Sequence, residues 1–153
     1  MSFEAKLKEL GIELPEAPRP VAAYAPAVRA GNFVYTSGQI TMVQGTLKYT
    51  GKIGKDLTVE QGYQAARICA LNALSAVRDL IGSLDGVEQI VKVVGFVNSA
   101  DGFIEQPKVV NGASELLRDI FGSAGQHARS AVGVNELPLN TAVEIELIVK
   151  VRG

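Results

Sequence analysis

The strongest constraint on the fold is a strict alternation of apolar and polar residues over Ala142 to Val151. A side-chain period of two is typical of a β-strand with one buried and one exposed face. Val87 to Val97 is β-branched and carries little charge, which predicts a second strand that is largely buried. One face of the sheet therefore needs a covering layer. Ile148 interrupts the polar side of the alternating strand, so we expect partner subunits to cover the other face.

Two amphipathic helices are predicted to supply the covering layer. The first begins after Thr58, a suitable N-cap followed by acidic Glu60 in the first turn, and it ends at Gly82. The second extends from Lys108 to Phe121 and is closed by Gly122. Helical spacing gives the first helix an apolar face made of Ala66, Ala70, Ala73, Leu74, Val77, Leu80 and Ile81.

The remaining segments are shorter. In chain order we expect a helix at 3–10, a proline-rich extended segment at 14–20, a hairpin of strands 21–28 and 32–36, a loop at 45–56 and a strand at 128–135. The order β-β-α-β-α-β-β defines an α+β fold with two helices on one face of the sheet. The chain divides into an N-terminal helix with its lead-in, residues 1–19, and one domain over residues 20–153.

Composition and charge exclude several classes of function. The chain has 153 residues, of which 47% are hydrophobic, and a formal net charge of −1. Such a length suits one domain with its own core, and the apolar content is too high for a disordered chain. Near-neutral charge argues against a nucleic-acid partner, because phosphate binding requires a clustered basic surface. No apolar run is long enough to span a bilayer, and the first residues lack the layout of a secretory signal, so we expect a soluble, cytoplasmic protein without membrane association.

Known catalytic motifs are not found in the sequence. The glycines of Gly51 to Lys55 are too close together for a phosphate-binding P-loop, and no Ser or Thr follows the lysine. The single cysteine, Cys69, is interpreted as a core residue, because it lies near the apolar stripe of the first long helix. The single histidine, His127, is interpreted as a loop or interface residue rather than a catalytic base. These two residues cannot by themselves form a zinc site.

Arg129 is the residue that most suggests a ligand, because it begins an otherwise apolar strand. Burying a guanidinium without a partner costs a prohibitive amount of free energy, so the group must reach solvent, a carboxylate or a ligand. One interpretation is a salt bridge to Glu144 or Glu146, whose strand is expected to pair with the strand of Arg129. The other is a clamp for a small carboxylate, which an arginine binds through two parallel hydrogen bonds. The residues alone leave both interpretations open.

Two segments resemble the signatures of a known family. Tyr24 and residues 31–40, GNFVYTSGQI, resemble the opening signature of the RidA/YjgF family of reactive-intermediate deaminases, long described as translation inhibitors or L-PSP endoribonucleases. Residues 129–138, RSAVGVNELP, followed by VEIE at 143–146, resemble its closing signature. The resemblance covers roughly residues 20–152, and residue identity and spacing agree in both blocks.

The resemblance implies a chorismate-mutase-like fold, a homotrimer and a pocket in each cleft between subunits. It also implies hydrolysis of enamines and imines, such as 2-aminoacrylate and 2-iminobutyrate, to 2-keto acids and ammonia without metal or cofactor. By position, Arg129 would hold the substrate carboxylate, main-chain groups around Ala131 would bind the nitrogen, and Glu144 would orient or activate water. Tyr24 and Ser37 would line the pocket, with Tyr24 facing the neighbouring subunit.

Several departures indicate a divergent subgroup of the family. The chain adds an N-terminal helix, carries a longer loop at 41–57, and has Gly133 where the well-known deaminases often carry Glu. Residues 111–117 lack the aromatic residues common on that helix. A non-catalytic binder or sensor of small carboxylates therefore stays an alternative. RNA cleavage is disfavoured, because aromatic residues make up only 6% of the chain and the lone His127 offers no acid–base pair.

Overall fold

A five-stranded mixed sheet forms the centre of the molecule. The computed structural model describes residues 2–19 and 23–153. The strands of this sheet are β1 (Ala27–Ala30), β2 (Phe33–Thr36), β5 (Val87–Asn98), β6 (Ala128–Val134) and β7 (Val143–Val151), and a separate small hairpin holds β3 (Met42–Val43) and β4 (Thr46–Leu47). The order across the sheet is β1-β2-β7-β5-β6. Only β5 and β6 run parallel, and the other neighbouring pairs are antiparallel. The predicted α+β class is confirmed.

The pairing of β6 differs from the prediction. β6 pairs with β5 and lies at the edge of the sheet, while β7 pairs with β5 and β2. The prediction that β6 pairs with the strand of Glu144 is therefore wrong. The physical reason is the connection through the helix at Gln106–Phe121, since a helical crossover returns the chain parallel to the strand it left. Val93 of β5 consequently lies between Arg129 of β6 and Leu147 of β7.

Three α-helices accompany the sheet: α1 (Phe3–Glu9), α2 (Val59–Ile81) and α3 (Gln106–Phe121). Thr58 caps α2 as predicted, and Gln61 completes a capping box that the sequence analysis did not identify. Gly82 ends the helix as predicted. Leu80, predicted to point inward, is 43% exposed, whereas the neighbouring Ile81 packs against the core. No helix in residues 2–19 and 23–153 is both long and apolar enough to cross a membrane.

Helices α2 and α3 pack closely on one face of the sheet and on each other. The buried positions of β7 face this layer, and Cys69 of α2 donates its thiol to the carbonyl of Val143, which confirms it as a core residue. Gly112 is the point of closest approach between the helices, since a Cβ there would lie 2.8 Å from the carbonyl carbon of Tyr63. Alanine would overlap the backbone of α2, so glycine is needed to seat α3.

Helix α1 is tied to the end of this layer. The ring of Phe3 meets that of Phe121 edge to face, with centroids 4.8 Å apart. Glu4 forms an ion pair with Arg78 of α2 at 3.1 Å, and Leu7 is buried. The N-terminal segment therefore packs against the same core as the sheet.

Two boundaries in the first half differ from the prediction. The strand predicted at 21–28 begins only at Ala27; residues 21 and 22 lie outside the described residues, and Pro26, which has no N–H to pair, comes directly before β1. The loop predicted at 45–56 contains β4 of the small hairpin. Its turn is formed by Gln44 and Gly45, both with positive φ, as in a two-residue type I′ turn.

Candidate functional site

The guanidinium of Arg129 lies on the helix-covered side of the sheet and is bound by α3. Arg129 pairs with buried Val93, which directs both side chains to the same face. Its Nη1 donates to Oδ1 of Asn111 at 2.8 Å and to Oγ of Ser114 at 3.2 Å. Both partners are neutral, so the charge of Arg129 is held in place without being neutralised.

No carboxylate of the described residues pairs with Arg129. The ion pairs formed within residues 2–19 and 23–153 involve other cations. The salt bridge to Glu144 or Glu146, one of the two interpretations from sequence, is not formed. The reason is the strand order, because β5 separates β6 from β7. An arginine that is half-buried and lacks an anion has capacity to bind one.

Glu144 lies on the open face of the sheet. Its neighbours Val143 and Ile145 point into the core, so strand alternation directs Glu144 to the opposite side. The carboxyl group lies against Gly38, where a Cβ would be 2.7 Å from the Glu144 carboxyl carbon. Partial burial raises the pKa of Glu144, and the negative charge of Glu146 raises it further. A carboxyl group with a raised pKa is suited to proton transfer.

Ser37 and Tyr24 are held near each other at the end of β2. The hydroxyl of Ser37 donates to the carbonyl of Ala25 at 2.6 Å, and the Ser37 N–H donates to the carbonyl of Pro26 at 2.8 Å. These two bonds hold the segment after Tyr24 against Ser37, directly after β2. Tyr24 is 59% exposed, so its ring is free to line a pocket or to meet another chain.

Ala131 lies two residues after Arg129 on the same face of β6. It pairs with Gly95, and its half-buried side chain packs against the core. Because β6 is an edge strand, its backbone has a sheet neighbour on one side only. Main-chain groups on the outer side are directed away from β5, where a ligand can reach them.

The site residues proposed from sequence therefore form two groups in one chain. Arg129 and Ala131 lie on the edge strand and face the helix layer, whereas Glu144 and Ser37 belong to the open face. The structure does not bring Arg129 and Glu144 together within one copy.

In the Gly51–Lys55 segment the lysine side chain at position 52 is bound to neighbouring loops. The ammonium of Lys52 donates to Oδ1 of Asn98 at 3.1 Å and to the carbonyl of Asn135, and it lies 3.8 Å from Glu136. These contacts hold Lys52 at the carboxyl ends of β5 and β6. Its role is to tie loops together.

Asn111, Ser114 and His127 were not recognised as site residues from the sequence. Nε2 of His127 lies 2.9 Å from Oγ of Ser114, and Nδ1 lies 2.7 Å from the carbonyl of Gly125. Spacing carried a usable signal: Asn111 and Ser114 are three apart on a helix, and His127 and Arg129 are two apart at the start of a strand. Residues at such spacings share a face.

The fold and these residues define a protein of the chorismate-mutase-like class. A family model described as "YjgF/chorismate_mutase-like, putative endoribonuclease" matches residues 4–151. The chain belongs to the RidA/YjgF family, as its two signatures predicted.

Three relatives illustrate the similarity. Protein TCP17 of Trypanosoma cruzi is 44% identical over 147 residues, which is 95% of this chain and 92% of that protein. A 2-iminobutanoate/2-iminopropanoate deaminase of Dermatophagoides farinae is 36% identical over 139 residues, covering 90% of this chain and 93% of the deaminase. The crystal structure of Atu1372 from Agrobacterium tumefaciens is 43% identical, with a TM-score of 0.90 over 98% of this chain and 92% of that one.

Proposed function

We propose that this protein hydrolyses reactive enamines and imines of the 2-aminoacrylate and 2-iminobutanoate type to 2-keto acids and ammonia. The observation that carries the proposal is Arg129, a half-buried guanidinium held by two neutral side chains with no carboxylate of the described chain beside it. Such a group binds a small carboxylate through paired hydrogen bonds. The relative from Dermatophagoides farinae, named as a 2-iminobutanoate/2-iminopropanoate deaminase, supports the reaction class.

In the proposed reaction Arg129 anchors the substrate carboxylate and main-chain groups around Ala131 bind the imino nitrogen. Glu144 accepts a proton from the water that attacks the C=N carbon and passes it to the imino nitrogen, which gives the carbinolamine. Glu144 then takes the proton of the carbinol hydroxyl and delivers it to the amino nitrogen, so that the C–N bond breaks, ammonia leaves, and the carbinol oxygen becomes the keto oxygen. One imine and one water thus give one 2-keto acid and one ammonia. Positioning and one proton-transfer group suffice, because an imine is already electrophilic.

We propose that the complete site forms between subunits of a homotrimer. Arg129 and Glu144 lie on opposite faces of one chain, so Arg129 of one copy would meet Glu144 of the next. The open face supports such an assembly, because it exposes the apolar residues Val28, Tyr35 and Val132. Tyr24 and Ser37 would then belong to the Glu144 side of each cleft.

The first experiment measures ammonia release from 2-iminobutanoate generated in situ, with wild type and Arg129→Ala compared after subtraction of the spontaneous rate. We expect kcat/KM to fall about a hundredfold in Arg129→Ala, which corresponds to the loss of about two charge-assisted hydrogen bonds. Arg129→Lys keeps the charge without the fork and should recover part of the activity. Light scattering on the same samples shows whether assembly survives. Unchanged turnover in a folded Arg129→Ala protein would contradict the proposal.

A mixing experiment tests whether one site uses two copies. Arg129→Ala and Glu144→Gln are each inactive in the proposal, and they are unfolded and refolded together in equal amounts. In randomly mixed trimers roughly a quarter of the clefts combine an intact Arg129 with an intact Glu144. We expect about that fraction of wild-type activity to return. No recovery from mixed trimers would place both residues of a site in the same copy.

A non-catalytic carboxylate binder is the second candidate. The observation that favours it is that Asn111 and Ser114 of the same chain orient Arg129, and Glu144 takes no part in this arrangement. In that case wild type would bind 2-oxobutanoate without accelerating imine hydrolysis. Glu144→Gln would leave this binding unchanged.

A further inference from the structure

A chain of hydrogen bonds beside the proposed carboxylate clamp fixes one edge of the Arg129 guanidinium. Nη1 carries two hydrogens, and it donates to two oxygens, Oδ1 of Asn111 and Oγ of Ser114. Both hydrogens of Nη1 are thereby used. The Nε hydrogen and one Nη2 hydrogen point along the opposite side of the planar group, and the second Nη2 hydrogen points to the end that Nη2 shares with Nη1.

The direction of each bond in this chain follows from its last acceptor. A carbonyl oxygen can only accept, so Nδ1 of His127 carries the hydrogen given to Gly125. In the neutral ring Nε2 is then an acceptor and receives the hydroxyl hydrogen of Ser114. The lone pairs of Ser114 Oγ are left for Arg129, and all the bonds agree in direction.

The turn that carries Gly125 is pressed against α3. A Cβ at Gly125 would lie 2.8 Å from the carbonyl carbon of Leu117 and 3.2 Å from Cα of Arg118. Only glycine allows the 122–125 turn to approach the helix this closely. The turn therefore holds the Gly125 carbonyl, and with it the ring of His127, at a fixed distance from Ser114.

The geometry points to Asn111, Ser114 and His127 as positioning residues that lock Arg129, so that a carboxylate is received side-on by Nε and Nη2. The inference rests on the proposed function for the kind of ligand, and it adds which edge of the guanidinium binds and what holds it there. Among the described residues only Nη1 is bonded, so the edge of Nε and Nη2 is the one that keeps two parallel donors, and a carboxylate bound there lies in the plane of the Arg129 guanidinium. The orientation of the substrate at the reacting carbon would follow from this alignment.

Nitrogen NMR of the Arg129 guanidinium tests whether its rotation is restricted. The signals are assigned by comparison with Arg129→Lys. We expect distinct, slowly exchanging Nη1 and Nη2 signals in wild type and averaged signals in Ser114→Ala and in Asn111→Ala. Ser114→Thr retains the hydroxyl and should restore the separation. Ser123→Ala is the matched control, because this exposed serine lines a cavity of about 620 Å³ together with Asn111, Ser114 and His127 but forms no hydrogen bond to Arg129. Averaged signals in wild type would overturn the inference.

The consequence for binding is tested with 2-oxobutanoate, a stable keto acid of the product class. We expect its affinity to fall about tenfold in Ser114→Ala and in Asn111→Ala, and by less in His127→Ala, because an unlocked guanidinium must be ordered on binding. In turnover of 2-iminobutanoate KM should rise by a similar factor, whereas kcat should change less. Ser114→Thr should recover most of the affinity.

The outcomes separate this inference from the proposed function. If Ser114→Ala and Asn111→Ala bind 2-oxobutanoate as tightly as wild type does, the positioning role is overturned. The proposed carboxylate binding by Arg129 would then still stand. An equal loss in the Ser123→Ala control would also overturn it, since the effect would belong to the cavity wall. No binding of 2-oxobutanoate by folded wild type would overturn the proposed ligand class together with the side-on geometry.

Discussion

Arg129 and Glu144 carry opposite charges, and the two faces of the sheet surround them differently. On the helix-covered face, Asn111 and Ser114 orient Arg129 through neutral oxygens. On the open face, partial burial and the charge of Glu146 raise the pKa of Glu144. Neutral partners fix direction and leave charge intact, whereas burial and a like charge increase the affinity for a proton. The helix-covered face therefore orients the guanidinium of Arg129, whereas the open face raises the pKa of Glu144.

Among the substitutions that separate the two faces, Glu144→Gln should have the largest effect, which is on kcat. Glutamine keeps the size of the side chain but cannot transfer the proton, so kcat for 2-iminobutanoate should fall by about 10² to 10⁴. The affinity for 2-oxobutanoate should not change, because in the proposed site the carboxylate is bound by Arg129 and not by Glu144. Steady-state kinetics and isothermal titration of the same preparation measure both. A loss of affinity equal to the loss of kcat would show that Glu144 also binds the ligand.

Gly112→Ala is expected to disturb only the helix-covered face, on which Arg129 lies. The added methyl group overlaps the backbone of Tyr63, and two packed helices must separate. We expect a loss of about 3 kcal/mol in the free energy of unfolding, or a Tm lower by about 9 °C, from overpacking at a helix contact. Chemical denaturation measures the change, and Gly86→Ala is the control, because Gly86 is outside the left-handed region and a Cβ there would make an ordinary contact of 3.4 Å with Cδ1 of Ile81. A stability equal to wild type would show that α2 and α3 can shift freely.

Gly38→Ala tests the open face. The new methyl group meets the carboxyl end of Glu144, a flexible terminus that can move away. Stability should change by less than about 1 kcal/mol, while kcat should fall about tenfold because the carboxyl group is displaced. Thermal melts and kinetics measured together distinguish the two effects. A large loss of stability with normal kcat would assign Gly38 a purely structural role.

Glu146→Gln should give the smallest change, a shift in pH dependence. Removing the neighbouring negative charge lowers the pKa of Glu144, while burial continues to raise it. If Glu144 acts as a base, kcat/KM falls as it becomes protonated, so the acid limb of the profile should move to lower pH in the variant. An unmoved limb would mean that another group controls the profile.

The same pKa also predicts the sign of a stability effect. The pKa of Glu144 is higher in the folded chain than in the unfolded chain, so its contribution is complete below the unfolded value and is lost as pH rises through the folded value. Glu144→Gln should therefore be more stable than wild type at neutral pH. The difference should vanish toward acid pH in melts recorded as a pH series.

Local patterns in the sequence predicted most of the elements, and pairing between distant strands limited the rest. Helical spacing and Thr58 predicted α2, and alternation predicted β7, because these signals depend on neighbouring residues. The order of the sheet depends on which distant strands meet, and nothing local indicated that β5 would separate β6 from β7. The error for Arg129 and Glu144 followed directly from that gap. The family signatures pointed to Arg129 and Glu144 as candidate site residues, but the hydrogen-bond partners of Arg129 emerged only from the structure.

The position of β7 also affects how the chain is made. β7 is the last strand in chain order, yet it lies between β2 and β5 in the middle of the sheet. During synthesis the β1–β2 hairpin and the β5–α3–β6 unit emerge first, and each exposes an edge that only β7 can cover. The two halves of the sheet cannot join until residues 143–151 have left the ribosome. Two strand edges therefore stay unpaired until β7 enters the sheet between β2 and β5.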